Sequence, residues 1–323
     1  MNTLSEIAEV LKKIKSAVIF THTRPDGDTV GSGLSLHRAL SLLGKKVQVV
    51  NDGEIPEKFF YLPAARDILR APTLDAEAYI SVDASDESRL GELQRVFARG
   101  AQKGKLTLNI DHHVSNTRFC RYNFVRECAS NCENIAALLS EMNVTPDKEI
   151  ANSLMTGMVT DSGAFSHGDV NGDTFRAAAF AADCGADVKT VTYEMFKKQS
   201  KSRAALYAEV VSHLRYFLDD RLVVALVTLD ALSRYHLKSD ATEGIVDFGL
   251  NVDTVEVSVC LLEVRKGQYK ASLRSKGGAD VNRVAGVYGG GGHVLASGCM
   301  LFGEIEEIYD RLSYTVLQHL ETV

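Results

Sequence analysis

The 323-residue chain has no apolar run of about 18 residues, the length that a membrane-spanning helix requires. It also has no excess of basic residues, because its net charge is -6 and its pI is near 5.9. A protein that coats long nucleic acid needs clustered Lys and Arg to neutralise phosphates. These absences argue against membrane partners and against binding of long duplex nucleic acid, and they are compatible with a small phosphorylated substrate.

Cysteine is sparse and scattered, with six residues and no repeated pair at the close spacing of a zinc site. Cys128 and Cys132 are close enough to share a helix face, but one such pair is weak support for a metal site. We interpret the cysteines as reduced packing residues. The first 20 residues lack the basic, then apolar, then small-residue order of a signal peptide, so we expect a cytoplasmic protein.

The chain is long enough for two domains, and its first half alternates short apolar runs with amphipathic stretches. That pattern predicts an α/β fold with a parallel sheet and flanking helices. The expected strands are 16–21, 46–50, 78–82 and 106–110, and the expected helices are 29–43, 131–142 and 148–160.

The second half has a different composition. Residues 187–216 are polar and helical in pattern, which predicts a connecting helix pair, and strand-like runs follow at 222–229, 255–264 and 269–273, with a terminal helix at 305–320. We expect a catalytic domain over 1–190, a helical linker over 191–215 and a smaller α/β substrate-binding domain over 216–323.

Polar side chains follow the expected strands where each strand ends. Asp26 and Asp28 come after the first strand, Asp83 ends the third and Asp111 ends the fourth. Ligands of open α/β sheets bind outside the carboxyl ends of the strands, so these groups are predicted to converge.

The segment from His22 to Ser32, HTRPDGDTVGS, places one imidazole and two carboxylates in a single loop. Pro25 and Gly27 supply the turn geometry that lets alternate side chains face one point. The alternative is an Asp-rich turn with Asp28 near a helix N-terminus, where carboxylates are favoured. Taken alone, the loop does not decide between these two interpretations.

The segment Asp111-His112-His113 adds two further imidazoles. Adjacent residues of an extended segment point in opposite directions, so we expect at most one of the two histidines to bind metal. Asp83 and Asp161 each end an expected strand or helix, where a capping role is the alternative. The metal interpretation therefore depends on convergence.

Six side chains then suit two divalent cations, since two-metal sites recur in phosphoryl transfer. Imidazole and carboxylate without thiolate favour manganese, with magnesium, cobalt or zinc as substitutes. The six are His22, Asp26, Asp28, Asp83, His112 and Asp161.

In order and spacing, these motifs resemble those of the DHH phosphoesterases, and the later S-L-R-S (272–275) and G-G-G-G-H-x-x-A-S-G (289–298) resemble the DHH-associated C-terminal domain. The resemblance covers nearly the whole chain and is greatest to NrnA-type members, which degrade very short oligoribonucleotides and dephosphorylate 3'-phosphoadenosine 5'-phosphate (pAp). It implies an active site in the cleft between the domains, and it allows a homodimer.

The resemblance also implies roles for the site residues. Asp83 would bridge the two ions, Asp111 would orient a ligand histidine, and His113 would face the scissile phosphate or the leaving group. Seven residues near the C-terminus would bind substrate: Arg274, Ser275, Asn282, Gly290, Gly291, Gly292 and His293.

For the C-terminal residues, a flexible glycine turn and an exposed strand arginine are the alternatives. No Gly-Lys-Ser/Thr follows the glycines, which argues against an NTP-binding P-loop. Tyr288 and Ser297 stand where the family commonly has phenylalanine and alanine, which leaves substrate preference open.

The expected function is that of a metal-dependent phosphoesterase acting on short oligonucleotides, dinucleotides such as pApA, or pAp. The alternatives are a RecJ-like single-strand exonuclease, a pyrophosphatase or exopolyphosphatase, and a non-enzymatic nucleotide sensor. The presence of all expected ligands argues against the sensor.

Overall fold

The computed structural model describes residues 2–320, so residues 1 and 321–323 of the two expected domains lie outside the described residues. The chain divides into two compact units, Met1–Lys198 and Gln199–Val323. The change from one unit to the other falls inside the segment 191–215 that the sequence predicts as a linker. No helix within residues 2–320 is long and apolar enough to span a membrane.

The first unit is built on a five-stranded sheet of order β2-β1-β3-β4-β5 in which every neighbouring pair is parallel. Helices cover the sheet. The elements are α1 (Leu4–Lys13), β1 (Ser16–Phe20), α2 (Gly27–Leu42), β2 (Lys46–Val50), β3 (Ala78–Val82), α3 (Gln94–Gln102), β4 (Leu106–Asp111), β5 (Tyr122–Val125), α4 (Asn131–Glu141), α5 (Lys148–Asp161), α6 (Gly172–Asp183) and α7 (Val188–Thr192).

The central strands β1 and β3 are buried on both faces of the sheet, which explains why these two strands are mostly apolar. In β1, Ala17 and Ile19 enter the core formed with α1, α2, α4 and α5. Val18 and Phe20 enter the core on the other face, where Phe97 of α3 lies. Parallel strands end at one edge, so the loops after β1, β3 and β4 meet there.

Close packing of α2 against α5 brings the N-terminus of one helix to the C-terminus of the other. A Cβ at Gly27 would collide with Thr160, and a Cβ at Gly31 would collide with the carbonyl of Ser153. Glycine at both positions therefore permits a contact that any larger residue would prevent, and Asp28 and Asp161 lie at the same end of the pair.

The second unit is built on a six-stranded sheet of order β10-β11-β9-β8-β7-β6, antiparallel except for the pair β7 and β8. Its elements are α8 (Lys201–Ser212), β6 (Arg215–Phe217), β7 (Leu222–Val227), α9 (Leu229–Arg234), α10 (Ile245–Leu250), β8 (Val257–Arg265), β9 (Gln268–Ser275), α11 (Val281–Val287), β10 (Gly291–His293), β11 (Ala296–Phe302) and α12 (Ile305–Leu317).

Helices pack on both faces of this second sheet. Val259 and Leu261 of β8 pack in the core with α11 and α12, while Cys260 and Leu262 pack in the core with α8, α9 and α10. Helix α8 contributes Leu206 to the latter core, so this part of the predicted linker packs within the second unit.

The predicted α/β class, with a parallel sheet followed by a smaller mixed domain, is confirmed. The structure adds elements that the pattern did not predict, including α1, α6, β5 and β11. Shorter helical turns occupy Glu57–Phe59, Pro63–Asp67, Glu87–Leu93, Tyr193–Lys197 and Ser239–Thr242.

Candidate active site

The predicted metal-binding side chains gather at the carboxyl edge of the parallel sheet. His22 lies two residues beyond β1, Asp83 directly follows β3 and His112 directly follows β4. Asp28 lies in the first turn of α2, and Asp161 is the last residue of α5. The ends of three strands and of two helices thus position the side chains of the cluster.

Asp26 performs a capping role and also faces the cluster. Its Oδ1 accepts hydrogen bonds from the backbone N–H groups of Asp28 at 3.1 Å and Thr29 at 3.0 Å, which caps α2. Its Oδ2 lies 3.3 Å from Nε2 of His22. The cap and the candidate ligand are therefore two oxygens of one carboxylate.

Two histidines present the same nitrogen to the cluster. His22 places Nδ1 2.8 Å from the carbonyl of Thr23, and His112 places Nδ1 2.8 Å from the carbonyl of Cys128. A carbonyl only accepts, so each Nδ1 carries the proton and donates. Each Nε2 faces the cluster and can offer a lone pair once its own proton is displaced, which is the arrangement of metal-binding histidines.

Asp83 lies between these two histidines. Its Oδ2 is 3.6 Å from Nε2 of His22, and its Oδ1 is 3.4 Å from Nε2 of His112. The side chain is buried, and Oδ1 has no hydrogen-bond donor among the described residues. Its backbone adopts φ 54°, in the left-handed region that is unfavourable for most L-residues.

The side chains form three groups of three residues. Within each group, the ligand atoms, one from each residue, lie within 4.8 Å of one another. Asp83 belongs to two of these groups, and His112 also belongs to two. The groups are His22 with Asp26 and Asp83, Asp28 with His112 and Asp161, and Asp83 with His112 and His113.

Asp28 is fixed by the N-terminus of α4. Its carboxylate accepts the backbone N–H groups of Asn131 at 2.5 Å and Cys132 at 2.9 Å. The N-cap residue of α4, Ser130, makes no capping hydrogen bond with its own side chain. A candidate ligand therefore serves as the cap of a helix about 100 residues further along the chain.

Crowding of buried carboxylates disfavours their charged forms. Burial, together with the charges of Asp83 and Asp161, raises the pKa of Asp28 well above its usual value. Burial and Asp83 raise the pKa of Asp161 to about 7. In the absence of cations, the cluster therefore favours protonated forms of these two carboxylates.

The histidines respond in the opposite sense to the same charges. Burial lowers the pKa of His22, but hydrogen bonds and charges from Asp26 and Asp83 outweigh it and raise the pKa to about 10. Burial likewise opposes charge on His112, and Asp83 and Asp28 raise its pKa to about 11. Divalent cations in place of these protons would satisfy oxygens and nitrogens alike, so the donor set fits a metal centre.

His112 and His113 do not point in opposite directions, so that expectation was wrong. Their ring centroids are 4.5 Å apart, and Nδ1 of His113 lies 3.8 Å from Oδ1 of Asp83. Strand β4 ends at Asp111, so the alternation of a strand does not extend to the two histidines.

His113 is held by Asp111. Nδ1 of His113 donates to Oδ1 of Asp111 at 2.8 Å, and the other oxygen of Asp111 accepts a hydrogen bond from Asn116 at 2.6 Å. Asp111 was expected to orient a ligand histidine, but the histidine it contacts is the one expected to face the phosphate. The carbonyl of Cys128 orients His112 instead.

The candidate substrate residues of the second unit also come together, at the end of the sheet where β9, β10 and β11 meet. Arg274 pairs in register with Ala296, and the side-chain oxygen of Asn282 accepts the N–H of Gly292 at 2.9 Å. Oγ of Ser275 accepts the N–H groups of Gly277 and Ala279 at 3.0 and 3.2 Å.

The glycine run is an ordered turn leading into a strand. Gly291 to His293 form β10, paired with β11, and a Cβ at Gly290 would collide with the carbonyl of Gly298. Gly292 has φ +152°, and a Cβ there would lie 2.5 Å from the carbonyl of Ala296. Close backbone approach thus accounts for Gly290 and Gly292, while Gly291 has no such contact among the described residues.

Sequence reasoning missed the groups that position the ligands. They are the carbonyl of Cys128, the N–H groups of Asn131 and Cys132, and the side chain of Asn116. Backbone groups leave no signature in a sequence. The Ser130-Asn131 pair before an apolar helix was the one available signal for a helix N-terminus at this point.

A parallel sheet whose carboxyl edge carries such an Asp and His cluster, in a chain that matches the DHH family, is that of a metal-dependent phosphoesterase. Residues 16–158 match the DHH family, N-terminal domain, and residues 219–317 match the DHHA1 domain. The chain belongs to the DHH family.

Similar proteins extend over nearly the whole chain. The bifunctional oligoribonuclease and PAP phosphatase NrnA of Thermus thermophilus is 31% identical over 97% of this chain and 93% of its own length. The protein of the same name from Mycoplasma genitalium is 26% identical over 93% of this chain and 92% of its own length. The crystal structure of an exopolyphosphatase-related protein from Bacteroides fragilis superposes with a TM-score of 0.88 at 26% identity, covering 98% of this chain and 95% of that chain.

Proposed function

We propose that this protein is a metal-dependent phosphoesterase that hydrolyses short oligonucleotides, including dinucleotides such as pApA, to mononucleotides and removes the 3'-phosphate of pAp. The observation that carries the proposal is the position of Asp83, whose two oxygens face Nε2 of His22 and Nε2 of His112. The full-length similarity to proteins named as oligoribonuclease and PAP phosphatase supports this choice of substrate.

We assign the metal ligands as the resemblance to the DHH family implies, and the distances and the directions of the histidine nitrogens support the assignment. His22, Asp26 and Asp83 would hold one ion, and Asp28, Asp83, His112 and Asp161 the other. Bound divalent ions would act as Lewis acids on the phosphoryl oxygens and lower the pKa of water. Manganese is the ion we propose, in keeping with a donor set of imidazole and carboxylate.

We assign His113 to the phosphoryl group rather than to a metal. Asp111 occupies Nδ1 of His113, which leaves Nε2 to donate a hydrogen bond or a proton. The hydrogen bond that His113 donates to Asp111, opposed by burial, raises the pKa of His113 above its usual value and so favours the charged form of the ring. Asp111 is then the residue that positions this donor.

For the second unit we propose recognition of a phosphate that is not cleaved. Arg274 lies 3.5 Å from Asp247, an exposed carboxylate, and a substrate phosphate would replace this weak partner. His293, exposed on β10, would add an imidazole, and Gly291 beside it has no side chain to hinder the phosphate. The hydroxyl of Tyr288 contacts Arg311 and Thr315 of α12, which gives this departure from the family pattern a packing role.

The remaining proposals follow from the family assignment. We propose a cytoplasmic protein, with a homodimer as the assembly to be tested. We keep 1–190 and 216–323 as the proposed limits of the catalytic and substrate-binding domains, joined through 191–215.

The test is product release from pAp, pApA, a five-residue RNA, a twenty-residue single-stranded DNA and pyrophosphate, with manganese and then with chelator. We expect manganese-dependent turnover of the first three and weak turnover of the others. Preference for the long DNA would indicate a RecJ-like exonuclease, and preference for pyrophosphate or polyphosphate would indicate a pyrophosphatase or exopolyphosphatase. Turnover that persists in chelator would contradict metal dependence.

A further inference from the structure

Three exposed arginines stand at the same edge as the metal-binding cluster: Arg24 after β1, Arg89 after β3 and Arg118 after β4. We call these three residues the arginine rim. Their guanidinium groups form no ion pair and no hydrogen bond with any residue in the range 2–320. None of the three is a proposed metal ligand.

Arginines elsewhere in the chain commonly have a carboxylate partner. The guanidinium nitrogens of Arg38 lie 2.8 Å from Asp147, and those of Arg215 lie 2.7 Å from Glu306. The chain as a whole has 42 acidic and 36 basic residues, so carboxylates are plentiful. Three unpaired arginines around one site in an acidic protein indicate an anionic partner from outside the chain.

Hydrogen bonds fix the backbone of the rim to the catalytic residues. The N–H of Thr23, next to His22, donates to the carbonyl of Arg89 at 2.8 Å. The N–H of Arg118 donates to the side-chain oxygen of Asn116 at 2.7 Å, and Asn116 in turn donates to Asp111. The three positions are therefore set by the same loops that set the ligands.

The loops of the rim are also tied to each other, and two rim residues are conformationally strained. The N–H of Thr117 donates to the carbonyl of Ser85 at 2.8 Å, which joins the loop after β4 to the loop after β3. Arg24 has φ 54° and Arg118 has φ 55°, in the left-handed region that costs an L-residue roughly 1 kcal/mol or more.

We propose that the arginine rim binds backbone phosphates of the substrate beyond the scissile and the terminal phosphate, and so sets the range of chain lengths that the enzyme accepts. This inference rests on the proposed function, in which the metal centre takes the scissile phosphate and the second unit takes the terminal one. A planar guanidinium forms two parallel hydrogen bonds to a phosphate, which favours arginine over lysine for this role.

The experiment compares Arg24→Gln, Arg89→Gln and Arg118→Gln with the wild type on pAp and on a five-residue RNA. For the RNA we expect KM to rise about tenfold for each variant, the effect of removing one charge-assisted hydrogen bond, with kcat nearly unchanged. The KM for pAp, which has no third phosphate, should stay within about twofold. The salt dependence of log KM for the RNA should decrease by roughly 0.7 for each rim arginine that is replaced.

Arg99→Gln is the matched control, because Arg99 is an exposed arginine of α3 that also has no ion pair or hydrogen bond from its side chain among residues 2–320 and does not lie in these loops. The rim proposal is overturned if rim variants behave like Arg99→Gln on the RNA. It is equally overturned if they weaken pAp turnover and RNA turnover to the same degree, since the rim would then support the catalytic centre.

Binding of the fluorescently labelled five-residue RNA in chelator separates this inference from the proposed function. A wild-type protein that binds the RNA, with about tenfold weaker binding in the rim variants only, supports the rim even if turnover of pAp and pApA is absent and the proposed function fails. Equal binding by the wild type, the rim variants and Arg99→Gln overturns the rim, even if turnover of pAp and pApA is normal.

Discussion

Asp111 accepts a hydrogen bond from Nδ1 of His113 at 2.8 Å while remaining fully buried. This carboxylate has no direct place among the ligand groups of the described residues, and its second oxygen is taken by Asn116 at 2.6 Å. Asp111 and Asn116 thus fix the imidazole of His113 beside the metal ligands and leave Nε2 of His113 free. Orientation and charge of His113 both depend on one residue.

Replacing Asp111 by Asn should lower kcat for pApA about a hundredfold while leaving manganese affinity within severalfold. The amide cannot stabilise a protonated His113, so the raised pKa of that ring should fall. Because the proton donor is the charged form, activity is lost as pH rises through this pKa. The alkaline limb of the pH profile of kcat should therefore move to lower pH in the variant.

Measurements of manganese binding by calorimetry and of folding by circular dichroism serve as controls for this change. An unshifted alkaline limb together with a normal kcat would show that Asp111 has only a structural role.

Replacing Asp83 by Asn should weaken the binding of both metal ions, because Asp83 is a proposed ligand of each. We expect kcat to fall by more than about a thousandfold. The amide keeps the shape of the side chain but has one oxygen where two are needed. Elemental analysis after dialysis against manganese should give two ions for the wild type and at most one for the variant.

Asp75→Asn is a suitable control, since Asp75 is exposed and pairs with Lys105 at the surface. Asp83→Ala with near-normal hydrolysis under saturating manganese would rule out a bridging role.

Manganese binding should release protons and strengthen as pH rises. His22 and His112, with pKa values of about 10 and about 11, are protonated in the metal-free protein at pH 7, and a metal ligand must be neutral. Raising the pH removes the competing protons, so the logarithm of the overall constant for binding both ions should increase by about two per pH unit over roughly pH 7 to 8.5, one for each histidine. Below pH 7, Asp161, with a pKa of about 7, adds a third competing proton.

The proton count can be measured with a pH indicator in weak buffer during a manganese titration. Binding without proton release would mean that the histidines do not ligate the ion.

Replacing Gly157 by Ala should destabilise the first unit by about 1–3 kcal/mol and weaken manganese binding. A Cβ there would lie 2.5 Å from Oδ1 of Asp28 and would also collide with the thiol of Cys132. Overpacking would displace a ligand that α4 holds in place. Denaturant unfolding followed by circular dichroism measures the first effect and calorimetry the second.

Gly286→Ala is the matched control, because it adds the same methyl group at a position where there is room for it. Gly286 lies inside α11, and no described residue outside that helix comes within 4 Å of the position that the methyl group would take. Alanine should therefore stabilise the second unit by about 0.5–1 kcal/mol. Equal effects at both positions would contradict the steric explanation.

The sheet that positions the site was largely predictable from apolar runs. The expected strands 46–50 and 78–82 coincide with β2 and β3, and the edge where the acidic residues gather follows from parallel pairing. Strand β5 was missed because it has four residues and only Asn123 is buried. Strand β11 was missed because its first residues belong to a glycine-rich motif and resemble a turn.

The details of the site were less predictable, for physical reasons. The two adjacent histidines were expected to diverge, but β4 ends at Asp111, before either histidine, so strand alternation does not apply to them. The contacts of Asp28 and His112 are to backbone groups of residues 128–132, and every residue type carries such groups. The metal-binding roles themselves remain predictions until an ion is measured.

The N-terminus of α4 also supplies two built-in reporters. The amide protons of Asn131 and Cys132 donate to Asp28, and a cation that draws charge from this carboxylate weakens both hydrogen bonds. Their hydrogen-exchange rates should therefore follow the loading of one ion from inside the protein, and so should their NMR chemical shifts in isotope-labelled protein when diamagnetic magnesium replaces paramagnetic manganese.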